Sequence, residues 1–230
     1  MMNSVHTIAF DADDTLWVNE TYFHEAESAF CELFKDELPN KMVSEELFIT
    51  EMKNLQLYGY GVKGFMLCMI ETAGKLSSGT NHASLTRKII EIGHELLQKP
   101  VELLDGVAET LDQLKGKYRL VVATKGDLLD QERKLKKSGL LDYFHHIEIM
   151  SDKKTSDYQK LVRHLDCQPE QFLMVGNSIK SDILPVLETG SYAAHIPYHL
   201  TWAHEQHEQK PESERFMELK NIREILDYIN

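Results

Sequence analysis

Five short runs of almost uninterrupted apolar residues constrain this chain most: "HTIAF" (6–10), "RLVVAT" (119–124), "HIEIM" (146–150), "FLMV" (172–175) and "YAAHI" (192–196). Strands with one wet face alternate apolar and polar residues, whereas strands covered on both faces read as continuous apolar runs. Between the later runs lie helical patterns: Tyr158, Leu161, Val162 and Leu165 recur at i, i+3, i+4 and i+7, and Ile183, Leu184 and Leu187 behave similarly. Alternating strands and helices predict a doubly wound, Rossmann-like α/β fold with a parallel sheet.

The first connection breaks the rhythm. More than a hundred residues separate the first run from the second, far beyond an ordinary crossover. The interval carries helical faces: Tyr22, Ala26, Phe30 and Leu33; Phe48, Met52 and Leu55; Leu85, Ile89, Ile92 and Leu96. Ser44, followed by Glu45 and Glu46, has the look of an N-cap with acids in the first turn. "VKGFMLCMIETA" (62–73) is apolar nearly all round and is expected at the centre of this bundle. We therefore expect an α/β core from residues 1–17 and 101–230, and a smaller all-helical domain over 18–100, closed by Pro100 and Gly106.

In open parallel sheets, ligands bind outside the carboxyl ends of the strands. Those ends carry Asp11, Asp13 and Thr15 after the first strand, Thr124 and Lys125 after the second, Lys153 and Lys154 after the third, and Gly176, Asn177, Ser178 and Asp182 after the fourth. Three aspartates within four positions repel one another unless a cation compensates them. Two carboxylates spaced this way divide the labour of group transfer: one attacks an electrophile, the other moves a proton. A further carboxylate after the fourth strand helps hold a divalent cation such as Mg²⁺, which neutralises charge on a transferring phosphoryl group. Thr124 and a lysine then grip the remaining phosphoryl oxygens.

With these residues in this order, the sequence resembles the haloacid dehalogenase (HAD) superfamily in its phosphatase branch. "DADDT" is similar to that family's first motif, Thr124 to the second, the Lys153 region to the third and "GNSIKSD" to the fourth; a helical cap between motifs one and two is a family hallmark. The resemblance implies that Asp11 is the nucleophile that forms an aspartyl-phosphate. Asp13 is then the general acid, and afterwards the base. Mg²⁺ is held by Asp11, the Asp13 carbonyl and Asp182. The sequence departs from the family at Asn177, where an acid is common; its amide oxygen ligates without bringing charge. It departs again in the third motif, which has two lysines and no following proline. Spacing to Tyr158 favours Lys153, with Lys154 as rival. Thr124, Lys125, Lys153 and Lys154 form the expected substrate-binding set.

Bland readings stand beside these. Asp14 suits a turn or cap and Thr15 a buttress of the motif turn. Ser178 suits a helix cap, and Lys125 and Lys180 are more usually solvated. "HIPYHLTWAHEQH" (195–207) admits a zinc reading if His204 and His207 share a helix face, though a loop near the site is favoured. "FMELKNIREILDYI" (216–229) is expected to be an amphipathic helix docked on the sheet.

A formal net charge of −12 argues against nucleic acid or an anionic membrane as main partner. The apolar stretch around "FMLCMI" is too short to span a bilayer, and the three scattered cysteines suit a reducing setting, so a cytoplasmic monomer or homodimer is expected. The leading expectation is a Mg²⁺-dependent hydrolase of a small phosphorylated metabolite. A 2-haloacid dehalogenase, a phosphomutase and a non-catalytic binder on the same scaffold are the alternatives. Asp13 speaks against the dehalogenase, because a halide leaves without a proton.

Overall fold

The computed structural model describes residues 4–77, 82–207 and 209–229. Six strands, β1 (Thr7–Phe10), β2 (Arg119–Lys125), β3 (His146–Met150), β4 (Phe172–Gly176), β5 (Tyr192–His195) and β6 (Phe216–Glu218), form one parallel sheet in the order 3-2-1-4-5-6. β1 lies at the centre, in register with β2 on one side and β4 on the other (Ile8 opposite Leu120 and Leu173). Strand order reverses between β1 and β4, so the crevice favoured for ligands opens just beyond Phe10 and Gly176.

Alternation along β1 feeds two separate cores. Ile8 and Phe10 pack on one face with Leu111, Leu114 and Leu120, the first two from α5 (Val107–Leu114). Ala9 faces the other way, into a cluster with Met174 and with Tyr158, Leu161 and Val162 of α7 (Thr155–His164). Both faces being covered explains the continuous apolar runs.

The chain divides into two compact units. One comprises Met1–Glu20, Val101–Lys125 and Gln131–Asn230; the other comprises Thr21–Pro100 with Gly126–Asp130. The second unit is built on the helical insertion between β1 and β2, with α1 (Glu20–Glu32), α2 (Asn40–Tyr58), α3 (Val62–Leu76) and α4 (His82–Gln98). Its core gathers Ala26, Phe30, Leu47, Phe65, Met69 and Ile89. α3 supplies seven buried residues and is the central helix expected from its all-round apolarity.

Two expectations about α2 are corrected. The helix starts after Pro39, so Ser44 sits inside it and its hydroxyl donates to the Glu27 carboxylate rather than capping. The buried face is Val43, Leu47, Thr50 and Asn54, not Phe48, Met52 and Leu55. Polar residues disguised that face. The Thr50 hydroxyl donates to the Glu46 carbonyl (2.9 Å) and the Asn54 amide to Glu71 (3.0 Å), so both are buried with partners.

The C-terminal segment also differs from the single helix expected. Phe216–Glu218 adds β6 beside β5, and a 3₁₀ run follows over Ile222–Asp227. Leu219, Ile222 and Ile225 are all buried. Their spacing of three, read as part of an α-helical stripe, is the period of the tighter helix. All three cysteines are free and buried. Among the described residues, no helix is long and apolar enough to cross a membrane.

Ile8→Ala, at a position with no exposed surface in the central strand, is expected to lower unfolding free energy by about 2–5 kcal/mol. Urea titration checks this, with a lower midpoint at unchanged slope.

Candidate functional site

β1 hands directly into the aspartates. The Asp11 amide donates to the Val175 carbonyl (2.9 Å), prolonging the sheet by one residue. The chain then turns so that the amides of Thr15, Leu16 and Trp17 all point at the Ala12 carbonyl. Asp14 takes the left-handed conformation (φ 61°) that this turn demands, which Asp tolerates better than most residues. Its carboxylate accepts from the amides of Asn19 (2.8 Å) and Glu20 (3.0 Å), where α1 begins. Asp14 thus serves the turn and the approach to the helix.

The buried centre is an ion triad. Lys153 Nζ lies 2.5 Å from Asp11 Oδ1 and 2.6 Å from Asp182 Oδ1, with 1% of the lysine side chain exposed. Burial works against the ammonium, but the two carboxylates outweigh it and lift its pKa above the ordinary lysine value. Burial pushes the Asp11 carboxyl up to about 7 against the pull of Lys153, with Asp182 and Asp13 adding to the rise. Lys154, by contrast, is exposed at the start of α7 and pairs with Asp152 (2.9 Å).

Asp182 reaches this place from a π-helical turn, Ile179–Ile183, after β4. Ser178 caps the turn by accepting from the Ser181 amide (3.1 Å), and its own amide donates to Asp182 Oδ2 (3.0 Å). A Cβ on Gly176 would collide with the Asp182 carboxylate, so this close approach requires glycine. The Tyr158 hydroxyl, fully buried, donates to the Ser181 carbonyl (3.1 Å). Asn177 Oδ1 lies 3.4 Å and Asp11 Oδ2 3.2 Å from the one Thr15 hydroxyl. Asp11, Asp182 and Asn177 therefore present an all-oxygen donor set around the triad, the chemistry a hard divalent cation prefers.

Asp13 is held by three donors that its local sequence gave little sign of. Trp17 Nε1 (2.7 Å) and Lys134 Nζ (2.9 Å) meet Oδ1, and Gln131 Nε2 (2.7 Å) meets Oδ2. The only sequence signal was Trp17, four residues on; Gln131 and Lys134 come from α6 (Leu128–Ser138), over a hundred residues away. Thr124 is buried at the end of β2, its hydroxyl 3.3 Å from the Lys125 carbonyl.

Lys125 corrects an expectation. It is not a solvated surface lysine: 13% of its side chain is exposed, and Nζ contacts Glu205 Oε1 (2.6 Å) and Ser181 Oγ (2.9 Å). Glu205, which the sequence reading passed over, also accepts from Ser178 Oγ (2.5 Å) and Ser181 Oγ (2.6 Å) through Oε2. Burial opposes its ionisation, but Lys125 and the two hydroxyls overcome that and hold the carboxyl down at about 2. The zinc reading of 195–207 loses its basis, because Ala203–Glu205 is a single 3₁₀ turn and His207 lies beyond it. His195 Nε2 instead lies 3.0 Å from the Asn177 carbonyl.

A doubly wound sheet with a helical insertion after β1, and carboxylates gathered at the switch point, defines a class of hydrolases. The profile of the haloacid dehalogenase-like hydrolases matches residues 5–186, and the chain belongs to that family. A haloacid dehalogenase-like family hydrolase from Xanthomonas campestris is similar in structure, at 37% identity and a TM-score of 0.85, over 95% of this chain and 87% of that one. HAD-hydrolase YfnB of Bacillus subtilis, solved bound to magnesium, shares the fold at 18% identity and a TM-score of 0.66, over 98% and 99% of the two chains. Glyceraldehyde 3-phosphate phosphatase of Methanothermobacter thermautotrophicus is 32% identical over 108 residues, 44% of this chain. That match spans 47% of the relative, about half its length.

Burial and Asp13 raise the Asp14 carboxyl to about 7, well above the ordinary aspartate range. The folded state therefore keeps a proton that the unfolded chain releases, and stability falls as pH climbs from about 4 to 7. Asp14→Asn keeps an acceptor for both amides and removes that charge. Its metal-free stability is expected to drop less between pH 5 and pH 8, by on the order of 1–3 kcal/mol in parallel urea titrations.

Proposed function

We propose that this hydrolase cleaves small phosphomonoesters through an aspartyl-phosphate on Asp11, with Mg²⁺ as cofactor. The observation that carries this reading is the buried Asp11–Lys153–Asp182 triad at the strand-order reversal. An ammonium already bonded to the attacking carboxylate is well placed to meet the oxygens of an incoming phosphoryl group. Thr124, buried at the neighbouring strand end, supplies a hydroxyl to the same group. The partial match to a glyceraldehyde 3-phosphate phosphatase supports the choice of small phosphomonoesters.

Asp11 attacks phosphorus, and the P–O bond to the leaving group breaks. Asp13 gives that alkoxide a proton, then takes one from the water that hydrolyses the acyl phosphate, regenerating Asp11 and releasing inorganic phosphate. Asp13 must exchange its Trp17, Lys134 and Gln131 partners for the substrate oxygen to do so. The metal would be held by Asp11, Asp182, Asn177 and the main-chain carbonyl of Asp13. It would supply positive charge to the transferring phosphoryl oxygens. Lys125 and Lys154 complete the proposed substrate-binding set. Lys125 contacts Ser181, next to Asp182 in the chain, while Lys154 pairs with Asp152 and points to solvent.

Asp11→Asn is expected to abolish phosphate release from a panel of small phosphomonoesters in Mg²⁺, with circular dichroism unchanged. Retained turnover in that variant removes the mechanism. Asp182→Ala is expected to raise the Mg²⁺ concentration for half-maximal rate at least tenfold, and more than Asn177→Ala does, because a buried carboxylate brings charge and an amide does not. The opposite ranking in a metal titration of rate assigns the metal to Asn177.

A further inference from the structure

Glu205 makes more contacts than a turn of three residues needs for anchorage. It sits between His195 and Phe216, where, among the described residues, the chain forms no regular element except Ala203–Glu205. From there it projects a carboxylate onto three donors belonging to other elements: Lys125 at the end of β2, and Ser178 and Ser181 on the turn that carries Asp182. One carboxylate oxygen faces the ammonium and the other faces both hydroxyls. The network closes on itself, since Ser181 Oγ accepts from Lys125 Nζ (2.9 Å) while donating to Glu205. Ser178 bonds Asp182 through its amide, and Asp182 bonds the lysine that touches Asp11. The cluster is therefore linked to the proposed nucleophile through two residues, Asp182 and Lys153.

We propose that Lys125, Ser178 and Ser181 form a carboxylate-binding subsite beside the catalytic triad, and that Glu205 fills it as a displaceable internal carboxylate. The inference rests on the phosphomonoesterase reading above and names its substrate class: the phosphate ester of a small hydroxy acid. Arriving substrate replaces one carboxylate by another, so the charge facing Lys125 is conserved and no buried donor is stranded, while Glu205 passes to water. An uncharged alcohol phosphate cannot make that exchange. It leaves Glu205 in place, and discrimination between the two substrates follows from the competition.

Two matched compounds test this: phosphoglycolate and ethyl phosphate, which differ in the carboxylate. Removing the competitor in Glu205→Ala is expected to lower KM for phosphoglycolate at least tenfold, with kcat and both constants for ethyl phosphate within twofold of wild type. Glu205→Gln, which keeps the side chain's size, is expected to lower that KM by a smaller factor. Adding Lys125→Gln to Glu205→Ala is expected to erase the gain. If Glu205 merely clamps the loop, both variants lose kcat for both substrates together and the preference for phosphoglycolate stays put, which overturns the proposal. A direct binding measurement separates this idea from the hydrolase reading. Should neither ester be turned over, the phosphatase reading fails. Calorimetric titration with oxalate then decides the subsite alone: binding at least tenfold tighter to Glu205→Ala than to wild type supports it, and equal binding refutes it.

Discussion

Two carboxylates and an ammonium, all but sealed from water, are the constraint around which this sheet is arranged. Charges in such a place are tolerable only when paired, and losing one partner strands the other at a cost of about 3–5 kcal/mol. Lys153 follows β3, Asp11 follows β1 and Asp182 follows β4, so three strand ends have to arrive at fixed separations. β1 in the middle, in register with β2 and β4, and β3 in register with β2 achieve that. The triad also answers the puzzle of the crowded aspartates. Asp11 is balanced by Lys153, Asp13 by Lys134, and Asp14 is turned away toward backbone amides.

The supports of the triad are backbone devices as much as side chains. Gly176 is bare because the Asp182 carboxylate lies where a Cβ would go. The widened turn over Ile179–Ile183 brings Asp182 round while leaving Ser178 and Ser181 facing one way. The same turn thus serves two clusters, the ion triad and the Lys125–Glu205 network. A substitution there disturbs both.

The sheet was legible because burial on both faces leaves a strong mark: each of the five apolar runs became a strand, with ends within a residue of those expected. β6 was not, since two half-buried residues and an exposed glutamate at the sheet edge carry too little apolar pattern to announce a strand. Within α2 the buried face was misread because Thr50 and Asn54 satisfy their polar groups internally, which periodicity of apolar residues does not see. The motif residues at the strand ends could be named in order from the sequence. Their partners could not. Gln131, Lys134 and Glu205 reach the site across long stretches of chain, and nothing local marks a glutamate bound for a buried lysine.

The chain crosses between its two units four times, because Gly126–Asp130 belongs with the helices although it follows β2 directly. Lys63, beside the glycine turn that joins α2 to α3, pairs with Asp127 through both carboxylate oxygens at 3.0 Å. The helical unit is therefore not a cassette bounded by two cuts. Grafting residues 21–100 onto another sheet would leave behind a piece of its own surface, and a ribosome finishes that unit only after β2 has already been made. Swapping such insertions between relatives has to carry the short segment after β2 along with them.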